Sequence, residues 1–325
     1  MPETGCLLIA NPTAGRGAAK GKVDELQGIL RRLGVRHELT LTRSEGDATG
    51  IARKAAAAGW PLVVAVGGDG TMWEVLNGVA GTPSALGIVP TGTGNDMARS
   101  LGIPLNLAGA ARVLAAENHE LRPVDVGEDP DGKFGIVLGL NFPSEVMRYV
   151  NTGAGPFRGS LAITAGVVRT VTRLRAERMR LELDGKALEA DVAGLFIMNT
   201  PYTGGGLFMA PEAHPDDGWL DVVILGRIGR LDLLRTLPRA YKGTHVTHPS
   251  VSITRCQRIS VETDRPLDKL FDGNVHGKSP VRAQVAHHAL RVAVPRRGGG
   301  DAATGPAAGA AAGSGGKRGT GGGKP

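Results

Sequence analysis

Cysteine is nearly missing from this 325-residue chain, which has only Cys6 and Cys256, one in each half. Two such residues supply neither a disulfide framework nor a metal-ligand pair. No His-Glu-x-x-His and no Cys/His cluster is present, which removes the common zinc enzymes. Aromatics are scarce at 4%. None is interleaved with basic residues, so the stacking platform of a nucleic-acid binder is lacking and no nucleic-acid partner is expected. No apolar run approaches the roughly 20 residues that cross a bilayer. No basic segment precedes the short apolar run at the N-terminus, so a signal peptide is not expected. These absences lead to the expectation of a cytoplasmic protein that at most touches the inner face of a membrane.

Glycine, by contrast, is abundant at 50 residues. Part of the excess lies in 296–325, a stretch dominated by Gly and Ala with five Lys/Arg and one Asp. It has no periodic apolar face and is expected to be a disordered tail. Its +4 is most of the formal +7, so the rest of the chain is only mildly basic.

The remaining glycines punctuate strand-to-helix junctions. The apolar run Pro61 to Val66 stops on Gly67-Gly68-Asp69-Gly70, and helical spacing is expected from Thr71. Three glycines let the backbone approach a ligand without Cβ atoms in the way. The amides of the following helix then offer donors and a positive dipole end to a phosphate. Asp69 is the odd residue, because a carboxylate repels phosphate. It makes sense if it faces a proton to be removed or a hydrated Mg²⁺. By itself the loop could equally be a tight turn with Asp69 as a local cap.

Its neighbours repeat the pattern. Cys6 to Ala10 runs into Asn11-Pro12-Thr13-Ala14-Gly15, and a helix with Val23, Leu26, Ile29, Leu30 and Leu33 on one side follows. Arg36 to Leu41 alternates like a strand and enters a loop at Thr42, in which Asp47 is expected to cap an alanine-rich helix. Leu86 to Val89 leads into Pro90-Thr91-Gly92-Thr93-Gly94-Asn95-Asp96, with Asn95 or Asp96 capping the helix Met97 to Leu101. Strands alternating with helices predict a parallel sheet covered on both faces, with ligands at the carboxyl ends of the strands. All these polar loops leave such an end.

After about Val124 the texture changes. Phe134 to Asn141, Arg178 to Asp184, Leu188 to Met198, Leu220 to Leu225, Ile259 to Glu262 and Ala289 to Val294 are expected as strands. Asp184-Gly185 is expected as a two-residue hairpin turn, and one amphipathic helix spans Gly159 to Leu174. The expected organisation is an α/β nucleotide-binding domain over 1–125, an antiparallel β-domain over 126–295 and the tail over 296–325.

Two common phosphate motifs fail. Five residues separate Gly15 from Gly21-Lys22, and Val23 stands where a P-loop needs Ser or Thr; Met97 stands where a dinucleotide fingerprint needs its third glycine. What remains is a set of Gly/Thr/Asn/Asp loops converging beside Asp69, the pattern of a nucleoside-triphosphate site with an acid–base carboxylate.

The chain resembles the lipid kinases with a diacylglycerol-kinase catalytic domain, a family that includes sphingosine kinases. The matching residues are Asn11 to Gly15, Gly67-Gly-Asp-Gly-Thr71 continuing to Glu74-Val-Leu-Asn-Gly78, and Gly92-Thr-Gly-Asn-Asp96-Met-Ala-Arg99. Later matches are Asn199, Gly204 to Gly206, Ala210-Pro211 and Asp216 to Asp221. The resemblance runs from about Cys6 to Pro295. It implies a phosphofructokinase-like α/β domain followed by an antiparallel β-sandwich, with ATP between them and Mg²⁺ as cofactor. It places Asn11, Pro12, Thr13, Ala14, Gly15, Thr42, Gly67, Gly68, Asp69, Gly70, Thr71, Met72, Trp73 and Thr93 around ATP. Asp69 and Asp96 fall in the catalytic Mg²⁺-and-water network. Asp217, with the carbonyls of His214 and Trp219, would hold a structural Mg²⁺. The implied partner is a lipid presented at a membrane surface, with a homodimer as a further expectation.

One departure bears on catalysis. The family usually carries Asp-Gly-Glu near the C-terminus, with the Glu as general base, but here Asp272-Gly273 is followed by Asn274. An amide cannot accept a proton at neutral pH, though it can hydrogen-bond a substrate hydroxyl. Asp69 is then the expected proton acceptor and Asn274 a residue of the reacting centre. The segment Gly139 to Pro143 also differs from the family's usual sequence near the lipid cleft. The alternatives are a catalytically silent nucleotide and lipid binder and, less favoured by the motifs, a soluble-substrate kinase such as an NAD kinase.

Overall fold

The computed structural model describes residues 5–12, 18–152 and 160–296, without the side chains of 18–20 and 160–164. Thr13, Ala14, Gly15 and the tail beyond 296 lie outside the described residues, as do Gly159 and the side chains of Leu161 and Ile163.

The first part is an α/β layer structure. Strands His37–Leu41, Cys6–Ala10, Leu62–Gly67 and Ala85–Pro90 pair in parallel in that spatial order. Leu62–Gly67 is buried at every position. A central parallel strand covered on both faces needs such a continuous apolar run. Helices Ala18–Arg32 and Leu107–Val113 cover one face, where Val23, Leu26, Leu30 and Ala111 meet Leu8, Val64 and Val66. Helices Asp47–Ala57 and Asp69–Val79 cover the other, where Ala52, Val75 and Leu76 meet Ile9, Val63 and Ala65.

Two helix starts differ from expectation. The central helix begins at Asp69 rather than Thr71, with extended Gly68 at the cap position. Asp47 does not cap its helix either. Gly46 holds the cap position at φ 84°, and Asp47 accepts the Arg43 amide at 2.9 Å. The Ala48 amide is bound instead by the carboxylate of Glu74, 3.0 Å away on the neighbouring helix. A cap supplied from another element leaves no local signature.

The second part packs two antiparallel layers face to face. One sheet has the order Val251–Cys256, Leu220–Leu225, Gly194–Met198, Val137–Asn141, Asp268–Phe271, Asn274–Lys278. The other continues the parallel sheet through Val281–Pro295, Arg258–Thr263, Glu177–Leu183 and Lys186–Val192. Leu138, Leu195, Ile197 and Val222 from the first layer meet Met179, Leu181, Ile259 and Val261 from the second. Asp184-Gly185 turns the expected hairpin, at φ 48° and 82°.

Two expected strands are each split. Leu188 to Met198 is Lys186–Val192 in one sheet and Gly194–Met198 in the other; Phe134 to Asn141 divides in the same way into Gly132–Phe134 and Val137–Asn141. A chain crossing between packed sheets stays buried throughout, so periodicity shows no break. His119–Asp129, Val251–Cys256, Asp268–Phe271 and Asn274–Lys278 are strands not marked by the sequence pattern, and Phe142–Asn151 and Arg230–Ala240 are helices likewise not marked.

The strand Val281–Pro295 joins the two parts. Val292 pairs in parallel with Leu86, Val281 to Gln284 pair with Arg258 to Val261, and both ends pair with His119–Asp129. The return of the chain to the first sheet places the hairpin Asp268–Lys278 against the carboxyl ends of the parallel strands.

Gly78 shows how tightly the central helix is seated. A Cβ there would lie 2.5 Å from Ala52 Cβ and 2.8 Å from the Thr49 carbonyl oxygen. Gly78→Ala is expected to destabilise the protein by about 1–3 kcal/mol, the usual range for overpacking. A denaturation midpoint at or above that of wild type would contradict this account of the helix pair.

Candidate functional site

A cleft of about 440 Å³ opens at the carboxyl ends of the parallel strands. Of the residues expected around ATP, Asn11, Thr42, Gly68, Gly70 and Thr71 line it, and Asn274 closes it from the second part. Met72 and Trp73 turn away. Met72 is buried in the helix-side core, and Trp73 donates its indole N–H to the Lys133 carbonyl at 2.7 Å and packs near Phe271. On a helix, residues two and three after Gly70 cannot both face the strand ends. Thr93 is exposed on the Gly92–Asp96 loop and is not among the lining residues. Glu74 and Asn151 are cleft residues that no motif singled out as binding groups.

The glycines are explained by contact. A Cβ on Gly92 would stand 2.4 Å from the Gly68 Cα, so the two loops touch backbone to backbone. A Cβ on Gly94 would stand 2.4 Å from Asp69 Oδ2. Gly67 leaves room for Thr71, whose Oγ1 would be 2.4 Å from an added Cβ.

Asp69 joins these loops. Its Oδ2 accepts the Asn95 amide at 2.8 Å and its Oδ1 the Asp96 amide at 2.9 Å. The expectation that Asn95 or Asp96 caps the helix Asp96–Ser100 is corrected here. Asn95 sits at φ 53° with no side-chain cap bond and instead closes its own loop onto Gly92. The cap is Asp69, from the adjacent strand-loop-helix unit. Burial, then the neighbouring Asp96 carboxylate, pushes the Asp69 carboxyl up to about 7 against these two amide bonds.

Asp96 makes one of the bonds between the two parts of the chain. Its Oδ2 accepts the Gly205 amide at 2.8 Å, from a loop in which Gly204, Gly205 and Gly206 all have positive φ. Its Oδ1 is buried without a hydrogen-bond partner, and the nearest cationic atom, Arg99 Nε, is 4.0 Å away. Burial raises its pKa as well. Asp272 is a further buried carboxylate near the pair. It accepts the amides of Gly135 at 2.7 Å and of Ile136 and Val137 at 2.8 Å, while burial pushes it up to about 7. The Asp-Gly pair was visible as part of a motif, but the anchoring role of Asp272 was not.

Asp272-Gly273 forms the turn between Asp268–Phe271 and Asn274–Lys278, with φ 52° and 128°. The turn sets Asn274 over the glycine loop: a Cβ on Gly70 would lie 3.2 Å from Asn274 Oδ1. Asn274 Nδ2 is buried and has no partner. Asp69 and Asp96 are therefore neighbours, and Asn274 stands over Gly70, the residue next to Asp69.

Clustered buried carboxylates, one with an unpartnered oxygen, fit a hydrated divalent cation at Asp69 and Asp96. At the expected set of Asp217, His214 and Trp219, the carboxylate has partners of its own. Asp217 Oδ2 is paired with the Arg255 guanidinium, and its Oδ1 accepts the Trp219 amide at 3.1 Å. A structural Mg²⁺ there would compete with Arg255 for the Asp217 carboxylate.

A second cleft, of about 510 Å³, lies between Phe142–Asn151 and Ser160–Arg173 and is lined by Arg148, Tyr149, Arg169, Arg173 and Arg175. Asn141, in the segment that departs from the usual sequence, braces it by donating to the carbonyls of Arg175 at 2.9 Å and Val192 at 3.0 Å.

Glycine loops at the strand ends beside buried carboxylates of raised pKa are equipment found in phosphoryl-transfer enzymes. The profile of the diacylglycerol kinase catalytic domain matches residues 5–128, and that of the YegS C-terminal NAD kinase beta sandwich-like domain matches residues 138–294. The diacylglycerol kinase of Mycobacterium tuberculosis (strain ATCC 25618 / H37Rv) is 32% identical over 296 residues, 89% of this chain and 95% of that one. That of Bacillus subtilis (strain 168) is 29% identical over 293 residues, 89% of this chain and 96% of that one. A crystal structure of a diacylglycerol kinase from Bacillus anthracis str. Sterne superposes with a TM-score of 0.69 at 23% identity, over 90% of this chain and 97% of that one. That likeness establishes the fold. The chain belongs to the diacylglycerol kinase family, a family of kinases. The expected α/β part and antiparallel β part are both present.

Proposed function

We propose that the protein transfers the γ-phosphoryl group of ATP to a hydroxyl of a diacylglycerol-like lipid, and that its α/β part is of the phosphofructokinase type. The observation that supports this best is Asp69. It is a buried carboxylate with its proton affinity raised to the neutral range and pinned between two glycine loops, and the unpaired Asn274 amide stands over the adjoining Gly70. ATP lies along Asn11, Thr42 and the amides that follow Gly68. Mg²⁺ would be held by the Asp96 carboxylate, whose Oδ1 is unpartnered, beside Asp69, and would supply positive charge to the phosphates. Asn274 Nδ2 donates to the acceptor hydroxyl oxygen and orients it. Asp69 retains lone pairs beyond its two amide bonds and takes the hydroxyl proton. The acceptor oxygen forms its bond to the γ-phosphorus as the bond to the ADP oxygen breaks, so the proton ends on Asp69 and the charge on ADP. Labelled γ-phosphate from ATP is expected to enter a total lipid extract. Label that enters only a soluble acceptor such as NAD, or no acceptor, overturns the proposal.

Asp69→Asn is expected to lower kcat by roughly 10²–10⁴ while the KM for ATP stays within several-fold. One amide bond to the 95–96 loop is also lost, because Nδ2 cannot accept, at a cost of about 1 kcal/mol. The base works only when ionised. In wild type, kcat/KM is therefore expected to rise with pH and then level off, with its midpoint below the value of about 7 that burial and Asp96 give Asp69 without metal, because Mg²⁺ beside the pair favours the carboxylate. A profile with no rising limb, or an Asp69→Asn variant of wild-type rate, assigns the proton to another group.

The amide at position 274 supports a second reading, a silent binder that has lost its base. The two readings differ in the sign of one substitution. In an active enzyme, Asn274→Glu sets another carboxylate beside Asp69, raises its pKa further and moves the pH profile upward with a loss of rate at neutral pH. A large gain on a diacylglycerol instead would identify the silent binder.

We infer that the lipid is met at an anionic membrane surface. On Ser160–Arg173, Val168 is 49% exposed beside exposed Arg169 and Arg173, which border the arginine-lined cleft. Such a helix lies in an interface by its apolar contact and its basic edge. The Arg169→Ala/Arg173→Ala double variant is expected to sediment less with phosphatidylserine vesicles than wild type, both in a chain ending at residue 296 so that the basic tail does not contribute. Equal sedimentation removes this docking face.

A further inference from the structure

The ladder between Val281–Pro295 and His119–Asp129 loses register between Ala286 and Leu290. Successive side chains on a regular strand point to opposite faces, but the bulge cancels that alternation. His288 adopts φ 53°, and its ring stacks on that of His287 with centroids 3.7 Å apart and planes 27° from parallel. Both residues close on Asp125, a fully buried carboxylate. Asp125 Oδ1 accepts His287 Nδ1 at 2.8 Å and the His288 amide at 2.7 Å, and Oδ2 accepts the Gly218 amide at 2.6 Å. His288 Nε2 lies 3.3 Å from the Asp216 carbonyl oxygen. One donor atom from each of Asp125, His287 and His288 lies within 4.8 Å of the other two.

We propose that Asp125, His287 and His288 form a site for a divalent cation of the imidazole-binding kind, Zn²⁺, Co²⁺ or Ni²⁺. Two imidazoles and one carboxylate suit these borderline metals, whereas Mg²⁺ takes an all-oxygen shell. The cation takes the place of the proton between His287 Nδ1 and Asp125 Oδ1; a neutral ring keeps that proton on Nε2, and an imidazolium releases it to solvent. Metal–ligand distances of about 2.0–2.2 Å require the three donors to draw together. The exposed imidazoles can do this by rotating, while Asp125 stays fixed by the Gly218 amide, the outer hydrogen bond that such ligands need. Water or the Asp216 carbonyl completes a fourth position. The site is separate from Asp217, which Arg255 holds. A bound cation would tie the 211–219 loop to the two long strands. It would also stiffen the backbone that Asn199 links, through the Asp125 and Gly135 carbonyls, to the segment held by Asp272.

The test uses untagged full-length protein freed of metal with a chelator and titrated with Co²⁺. Wild type is expected to bind one Co²⁺ with the intense visible bands of a tetrahedral centre and to unfold at a higher temperature when loaded. Zn²⁺ is expected to displace the Co²⁺, and Mg²⁺ at the same concentration is not. His287→Gln keeps a hydrogen-bonding group for Asp125, and His288→Asn tolerates the positive φ, so both are expected to fold, as metal-free melting curves would verify. Each is expected to weaken Co²⁺ binding by about 10- to 100-fold or more. Wild type that binds no Co²⁺, folded variants that bind it undiminished, or displacement by equimolar Mg²⁺ would each overturn the assignment.

Discussion

The site depends on the bonds from the Asp69 carboxylate to the amides of Asn95 and Asp96. A carboxylate at the first turn of one helix closes the N-terminus of the next. That bond fixes the spacing of two neighbouring loops at the end of the parallel sheet. It requires Gly94, because no Cβ fits against Oδ2, and Gly92 and Gly68, whose backbones touch. The same arrangement removes Asp69 from water, and the loss of solvation raises its affinity for a proton. Loop geometry and acid–base character thus arise from one placement.

The second half of the chain completes what the first begins. Gly205 reaches Asp96, and the Asp272-Gly273 turn sets Asn274 over Gly70. Asp272 can hold that turn because three amides of 135–137, where the chain passes between the two sheets, converge on its carboxylate. Nearby, Lys269 is buried with Asp129 at 2.6 Å and Asp131 at 2.8 Å. A buried charge set of this kind contributes little net stability when intact, but losing one partner is costly. It therefore specifies how the hairpin is seated more than how firmly. With Val281–Pro295 shared between the parallel and antiparallel regions, the cleft has no complete wall until both halves have folded.

Much of the α/β part was legible in the chain. Continuous apolar runs at 6–10 and 62–67 are what central parallel strands require, and the glycine and asparagine loops after them mark the ligand-facing end of such a sheet. The lipid-kinase motifs likewise marked Asp69, Asp96 and position 274. The legible signal failed wherever a partner comes from elsewhere in the fold. Asp47 looks like a cap, yet Glu74 does that work. Asn95 looks like a cap, yet Asp69 does. The runs 188–198 and 134–141 look like single strands because the crossover between sheets is as buried as the strands it joins.

Local pattern is enough to determine the central strands of the α/β part, where glycine must stand beside them and which side chains can carry charge, since these follow from spacing and residue type. Only the tertiary structure decides what each charge meets. Asp125 and the two histidines lie far apart in sequence and come together through a two-residue slip in a ladder. Asp69 gains its proton affinity from burial and from Asp96. Desolvation and Coulomb interaction act through space, over a few ångströms between residues the chain keeps distant, and no reading along the chain contains that distance.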